Sequence, residues 1–203
     1  MTDGNYATLA ELKAYLNIDA SETDDDTLLS RLLAAGENHV ETIARRWFHG
    51  VTATRKYDGT GPHIDGRTLL LDADLISVTT LTNGDGSTLT EGTHFVLRPS
   101  NTTPKSEIRL LASGGAYWTW VDDIEEAISV AGVWGYCAAE DCPENITQAA
   151  IRTAAGLYRS KDSLEDQDRP VAIAGAGVIL PGRISAQVNQ LVGPYVRAKI
   201  GAI

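Results

Sequence analysis

The sequence predicts an α+β protein in which a small helical bundle carries a β-rich insertion of about six short strands and a C-terminal amphipathic tail. Apolar residues recur every three or four positions before residue 50 and again after Pro143. Between these segments β-branched residues alternate with Gly- and Asp-rich turns. We therefore expect N-terminal helices in residues 1–50, the insertion in 51–136, a helix completing the bundle in 137–160, and an extended arm with the tail in 161–203, as one domain overall.

The first two helices are predicted by their N-terminal signals. Thr8 precedes Glu11 by three residues, which is the spacing of a capping box, and Leu9, Leu12 and Leu16 supply an apolar face. Asp24 to Asp26 open a second helix, because carboxylates suit the positive end of the helix dipole. Its expected buried stripe consists of Leu28, Leu32, Gly36, Val40, Ile43 and Trp47, widened by Leu29 and Leu33.

The period changes at Val51, where strands become the better prediction. The expected strands are Val51–Tyr57, Thr68–Leu71, Ile76–Thr82, Thr93–Arg98, Glu107–Leu111 and Ile124–Trp134. Residues 83–86, Asn-Gly-Asp-Gly, predict a hairpin turn, with Thr93–Arg98 as the strand that follows it.

Helical character resumes at Pro143, a residue favoured in the first turn. One side of this helix is lined by Ile146, Ala150, Thr153, Ala154 and Leu157, and Ala149, Ala155 and Gly156 allow close packing. A charged and then Gly- and Ala-rich stretch, 161–182, predicts an arm. The tail after it carries Ile184, Val188, Leu191, Tyr195 and Ile200, with Pro194 breaking the helix. It either reaches a partner or folds back on its own core.

The composition limits the classes of function. The net charge of −10 disfavours a surface that grips nucleic-acid phosphates. No apolar run is long enough for a membrane span, and the N-terminus lacks a signal peptide, so we expect folding in cytoplasm and no membrane partner. Cys137 and Cys142 are expected to be free thiols, since no histidine lies near enough in sequence to complete a zinc site.

No motif in the sequence predicts catalysis, a cofactor or a metal. His39, His49, His63 and His94 fall on different elements without metal-ligand spacing. Residues 58–66 contain Asp-Gly pairs typical of turns rather than the ordered ligands of a calcium loop, and Gly175-Ala176-Gly177 lacks the context of a nucleotide loop. A non-enzymatic protein is predicted. A hydrolase using Asp58, Asp65 and a histidine stays as a third alternative.

The aromatic run Tyr117-Trp118-Thr119-Trp120 follows Gly114-Gly115 and is expected near a hairpin tip. Alternation would place Trp118 and Trp120 on one face. They either cover the β core or anchor a partner protein, and the sequence supports both interpretations equally.

Several segments together resemble one family. They are Tyr6–Leu16, Asp26–Ala35 running on to Arg45-Arg46-Trp47-Phe48, Arg55–Gly59, Leu89–Phe95, Val130–Tyr136, Pro143–Arg159 and Gln190–Arg197. In this order they are similar to the head-tail connector (adaptor) proteins of tailed bacteriophages, the gp6-like group. The arm at 161–182 departs from that pattern.

The resemblance implies a structural subunit of the virion neck, made in the host cytoplasm and assembled as a dodecameric ring beneath the portal protein. The ring would extend the channel through which genomic DNA passes and would dock the next head-closure or tail protein. The implied portal-facing residues are Leu191, Pro194, Tyr195, Val196, Arg197 and Ile200. The alternative within the same class is a head-closure stopper or a tail terminator.

Overall fold

The structure, a computed structural model, describes residues 6–138, 141–160, 172–173, 177–178 and 182–197. The chain divides into a helical unit, drawn from residues 1–46 and 139–197, and a β unit, drawn from 47–138. The α+β class is confirmed, because the described residues form four α-helices and a seven-stranded antiparallel sheet. None of the helices in these ranges is long and apolar enough to cross a membrane.

The first helix of the helical unit, α1, spans Leu9–Leu16 and begins with the predicted capping box. The Thr8 hydroxyl accepts a hydrogen bond from the backbone N–H of Glu11 at 3.2 Å, and the Glu11 carboxylate accepts one from the N–H of Thr8 at 2.7 Å. Two otherwise unpaired backbone donors are satisfied in this way. The helix ends at Asn17, which adopts the left-handed conformation at φ 56°.

The second helix, α2, spans Asp26–Ala44 and ends at Arg45, which is also left-handed at φ 54°. Its buried stripe contains four of the eight predicted residues, Leu29, Leu33, Gly36 and Val40. Leu29, Leu33, Gly36, Val40 and Ala44 are buried, whereas Leu28 is 37% exposed and Trp47 lies beyond the helix end. The two rows are both apolar and share Gly36 and Val40, and the observed one continues to Leu29, Leu33 and Ala44 on the side of α2 that packs within the helical unit.

Helices α3 (Glu144–Ser160) and α4 (Gly182–Val192) complete the helical unit, and a 3-10 turn, Gly193–Tyr195, follows α4. Helix α3 buries all eight residues predicted to line it or to keep its surface small. At Gly36 a built Cβ would lie 2.6 Å from the carbonyl oxygen of Ala150, so only glycine fits against α3. The α2–α3 contact is therefore a backbone-to-backbone approach.

The sheet of the β unit has the strand order β1-β7-β3-β6-β5, with β2 and β4 paired to β3. The strands are β1 Val51–Tyr57, β2 Ile64–Asp65, β3 Thr68–Thr82, β4 Thr88–Leu89, β5 Phe95–Arg98, β6 Lys105–Leu110 and β7 Ile128–Trp134. Its core contains large apolar side chains from six of these strands and one loop, among them Leu71, Leu81, Phe95, Ile108, Trp118 and Trp134. A separate pair, β8 Ala172–Ile173 and β9 Gly177–Val178, lies within the predicted arm.

Two strand predictions were wrong in detail. Thr68–Leu71 and Ile76–Thr82 are parts of one long strand, β3, which pairs with β6 in its first half and with β7 in its second. The register shifts between these halves mark bulges, and such irregularities interrupt the alternation on which the sequence prediction depended. The strand that follows the 83–86 turn is β4, not Thr93–Arg98, because β5 pairs with β6.

Candidate interaction surfaces

The C-terminal helix α4 packs within the helical unit, against α2 and α3. Val188 and Val192 are fully buried, and the Arg152 guanidinium donates a hydrogen bond to the Gln187 side chain at 3.3 Å. Of the two alternatives for the tail, folding back on its own core describes α4. The helix break predicted at Pro194 is confirmed by the 3-10 turn there.

The segment after Tyr195 is extended and is fixed to the end of α2. The backbone N–H of Arg197 donates a hydrogen bond to the carbonyl oxygen of Ala44 at 2.9 Å. Among the residues predicted to face a portal, Pro194 and Val196 are exposed, and Leu191, Tyr195 and Arg197 are half-buried. Ile200 lies outside the described residues. Five of the six predicted residues thus keep surface that another protein can reach, and their contact with a portal stays a prediction.

The aromatic run does not form a strand, and its two tryptophans have different environments. Residues 111–127 make a long loop between β6 and β7. Trp118 is 9% exposed and belongs to the core of the β unit, whereas Trp120 is 46% exposed. The strand alternation that would have placed both on one face therefore does not apply. Trp118 therefore covers the β core, as one of the two interpretations expected, whereas the exposed Trp120 is available to bind a partner protein.

This loop is held from inside by Asn83, which is only 3% exposed. The Asn83 amide donates hydrogen bonds to the carbonyl oxygen of Tyr117 at 2.8 Å and to the hydroxyl of Thr119 at 2.9 Å, and it accepts one from the N–H of Thr119 at 3.3 Å. The sequence pattern around Asn83 predicts only a turn residue. Its second function could not be found there, because the two segments lie more than thirty residues apart.

A second anchor is Arg67. Its guanidinium donates hydrogen bonds to the carbonyl oxygens of Leu111 at 3.0 Å and Ala116 at 3.3 Å, and lies 4.4 Å from the ring centroid of Tyr117. Charge-assisted bonds of this kind are stronger than neutral ones. Arg67 therefore fixes the first half of the loop to the start of β3.

Two glycines let other segments approach the loop closely. A built Cβ at Gly59 would lie 2.9 Å from the Trp120 ring, and one at Gly84 would collide with the carbonyl oxygen of Thr119. The N–H of Gly59 also donates a hydrogen bond to the carbonyl oxygen of Ile124 at 2.7 Å. The second half of the loop is therefore fixed as well.

The fixed loop nevertheless exposes apolar side chains. Tyr117 is 61% exposed, Trp120 46% and Val121 68%. We call residues 117–121 the aromatic loop. Asp122, Asp123 and Glu125, all exposed, follow it directly. The result is an apolar tip with an acidic border.

The groups proposed for a hydrolase take part in local structure. Asp58 accepts a hydrogen bond from the N–H of Glu126 at 2.9 Å, and Asp65 is an exposed residue of β2. The His63 ring nitrogen lies 2.9 Å from the carbonyl oxygen of Leu70, and the His94 ring accepts a bond from the N–H of Thr90 at 2.9 Å. In the described part of the chain no group of three His, Cys, Asp or Glu side chains is arranged to hold a metal ion.

The remaining histidines and the cysteines are placed within the two units. Burial lowers the pKa of His39 on α2, and His49 follows α2 in the β unit. Cys137 and Cys142 are not joined in a disulfide, as expected, and the buried Cys137 thiol donates to the carbonyl oxygen of Phe48 at 2.8 Å.

Among the described residues of the helical unit, Glu37 has a strongly shifted pKa. Burial of Glu37 raises its pKa to about 7, and the nearby Glu41 carboxylate adds to the rise. The Glu37 carboxylate accepts a hydrogen bond from the N–H of Ala7 at 3.1 Å, and the Tyr6 hydroxyl donates to the Glu37 carbonyl oxygen at 3.2 Å. Glu37 therefore joins the segment before α1 to α2. In the β unit, burial and the adjacent Asp72 carboxylate raise the pKa of Tyr57.

No protein-family model and no curated protein matches the chain, but solved structures do. A chain of the neck of a native gene transfer agent (GTA) particle, computed with C12 symmetry, has a TM-score of 0.60 at 15% identity. A chain of the neck of the empty GTA particle, computed with C6 symmetry, has 0.58 at 17%, and a chain of the native GTA virion has 0.58 at 16%. Each match covers 100% of this chain and 96% of the other. At these identities the likeness shows a shared fold.

Proposed function

We propose that the chain is a structural subunit of the neck of a tailed phage or phage-like particle, and that it acts as a head-tail adaptor. In this proposal it is made in the host cytoplasm and assembles in the virion as a dodecameric ring beneath the portal. It extends the DNA channel and docks the next head-closure or tail protein. No chemical reaction is assigned to it.

The observation that carries the proposal is the likeness over the full length to chains of a particle neck. A match that covers 100% of this chain and 96% of the other includes both the helical unit and the β unit. The particle neck was computed with C12 symmetry, which favours a ring of twelve subunits for its chains and, by analogy of fold, for this one. Fold alone does not determine function, so the surfaces must support the same role.

The C-terminal segment supplies the proposed portal contact. Val196 is 42% exposed and Pro194 is exposed, and both lie on backbone that the Arg197–Ala44 hydrogen bond fixes to α2. Leu191 and Tyr195 add half-buried apolar surface beside them, and Ile200 follows in sequence. A short apolar segment held on a rigid helix loses little conformational entropy on binding, which favours a stable contact.

The charge of the chain suits a channel for DNA. Each copy carries a net charge of −10, and a ring multiplies it. Like charges repel phosphates at short range and are screened beyond about 8 Å at physiological ionic strength. We propose that part of this charge faces the channel, so that DNA passes without adhering.

The proposal is tested by mixing the purified protein with purified portal rings and examining the mixture by electron microscopy. We expect a ring of added density on one end of the portal. The replacement Val196→Asp should weaken attachment at least about tenfold, because a charge would be buried in an apolar contact.

The matched control is Leu28→Gln, which changes an exposed apolar residue of α2, 37% exposed, in the same unit. It should leave attachment unchanged. Deletion of the whole tail is a poorer test, because removing Val188 and Val192 opens the core of the helical unit. Portal rings without added density would refute the adaptor role, and full attachment of the Val196→Asp variant would refute the portal-facing assignment alone.

A further inference from the structure

We propose that the aromatic loop, residues 117–121, is a preformed docking element for a different neck protein, one that presents an apolar cleft bordered by Lys and Arg side chains. This inference rests on the proposed function, because the neck supplies the partner. Beyond the proposed function, it names the aromatic loop as the binding surface and an apolar cleft with basic borders as the complementary surface of the partner.

The exposure of the loop is the first argument. Tyr117, Trp120 and Val121 are 61%, 46% and 68% exposed within five consecutive residues. Exposed apolar residues scattered singly are normal, but a local cluster that includes Tyr and Trp is typical of binding sites. Tyr and Trp each bury a large area for the loss of only two side-chain torsions.

The rigidity of the loop is the second argument. Loops longer than about 12–15 residues without secondary structure are uncommon, and they are usually either functional or disordered. This loop is fixed at both halves, by the buried Asn83, by Arg67 and by the close approach of Gly59 to the Trp120 ring. Burial in the core explains Trp118 but not Trp120 or Val121. A loop that is ordered in advance loses less entropy when a partner binds.

The charge around the loop defines the partner. Asp122, Asp123 and Glu125 are exposed beside the apolar tip. An acidic border repels a partner surface that is also acidic. It is complemented by a partner whose apolar cleft is bordered by Lys or Arg side chains. The aromatic loop of another copy is unsuitable for the same reason, since it carries the same acidic border.

The test is photo-crosslinking in assembled particles, with p-benzoyl-phenylalanine in place of Val121. We expect crosslinks to a different polypeptide of the neck, at a peptide that mass spectrometry shows to contain apolar residues flanked by Lys or Arg. The same label in place of Val51, which is 43% exposed in the β unit, is the control and should not label that peptide.

Two replacements measure the contribution of the loop to binding of the crosslinked protein. Trp120→Ala should weaken binding about tenfold or more, as expected for a hot-spot aromatic residue. Trp47→Ala is the matched control. It removes a tryptophan that is 50% exposed in the same unit but whose ring lies 5.2 Å from the Arg55 guanidinium, and it should change binding little. Asp122→Asn should reduce binding at low salt more than at high salt.

The results of these experiments distinguish failure of the docking proposal from failure of the proposed adaptor function. Incorporation of the labelled chain into the neck without crosslinks from position 121, or with crosslinks to another copy of this chain, overturns the docking proposal and leaves the proposed function standing. Equal binding by the Trp120→Ala variant and the wild type also overturns it. Absence of the chain from the neck overturns both.

Discussion

Replacement of Glu37 by Gln should make the helical unit more stable at alkaline pH and leave it unchanged at acidic pH. Glu37 is 8% exposed, and its carboxylate accepts a hydrogen bond from the N–H of Ala7. The side-chain oxygen of glutamine can accept the same bond. The replacement therefore removes the cost of a buried charge while keeping the contact with the segment before α1.

The sign follows from the pKa of Glu37, which burial raises from 4.5 to about 7. Below pH 4.5 the group is protonated in both the folded and the unfolded chain and contributes no pH dependence. Between pH 4.5 and 7 the folded chain holds a proton that the unfolded chain releases, so the free energy of unfolding falls as pH rises. Above pH 7 the loss is complete. At about 1.4 kcal/mol per pKa unit, it amounts to roughly 3 kcal/mol.

Thermal unfolding monitored by circular dichroism between pH 4.5 and 8 measures this effect. At pH 8 the Glu37→Gln variant should melt on the order of 5–10 °C above the wild type, and at pH 4.5 the two should coincide. Glu91→Gln, which removes an exposed carboxylate from the β unit, is the control and should change neither value. Equal melting temperatures of the Glu37→Gln variant and the wild type at pH 8 would refute the buried-charge argument.

Three further replacements test the packing and the loop. Gly36→Ala should destabilise by about 1–3 kcal/mol despite the higher helix propensity of alanine, because its Cβ would meet the Ala150 carbonyl oxygen; a denaturant titration showing stabilisation would contradict this. Asn83→Ala should cost about 1–3 kcal/mol and increase hydrogen exchange in the aromatic loop, and unchanged exchange would show that Asn83 does not fix it. Thr8→Ala should cost about 0.5–2 kcal/mol by removing the cap of α1, whereas an unchanged melting temperature would mean that the cap contributes nothing.

Elements with strong local signals could be predicted from the sequence. The capping box between Thr8 and Glu11 uses groups three residues apart, so its geometry is contained in the local sequence. Strand β1 was predicted with its observed bounds, Val51–Tyr57, because a run of β-branched residues ends in a Gly-rich turn. The helix break at Pro194 follows from the chemistry of proline alone.

Features that depend on distant contacts could not be predicted in this way. Both candidate rows of α2 are apolar and share Gly36, so the local sequence does not show that Leu29 is buried while Leu28 stays exposed; this depends on contacts with elements distant in sequence, such as α3. Strand β3 contains two predicted strands because it pairs with β6 in its first half and with β7 in its second. The bulges along it interrupt the alternation, and they depend on these two distant neighbours. The roles of Asn83 and Arg67 in fixing the aromatic loop arise from hydrogen bonds across more than thirty residues.

The most direct test of the proposed function is a cryo-electron microscopy map of the neck of a phage-like particle assembled with this chain present. If the chain is a head-tail adaptor, we expect a closed ring of its copies between the portal and the next neck protein, with Val196 at the portal contact. A neck map in which the chain is absent, or in which it occurs as isolated subunits away from the portal, would contradict it.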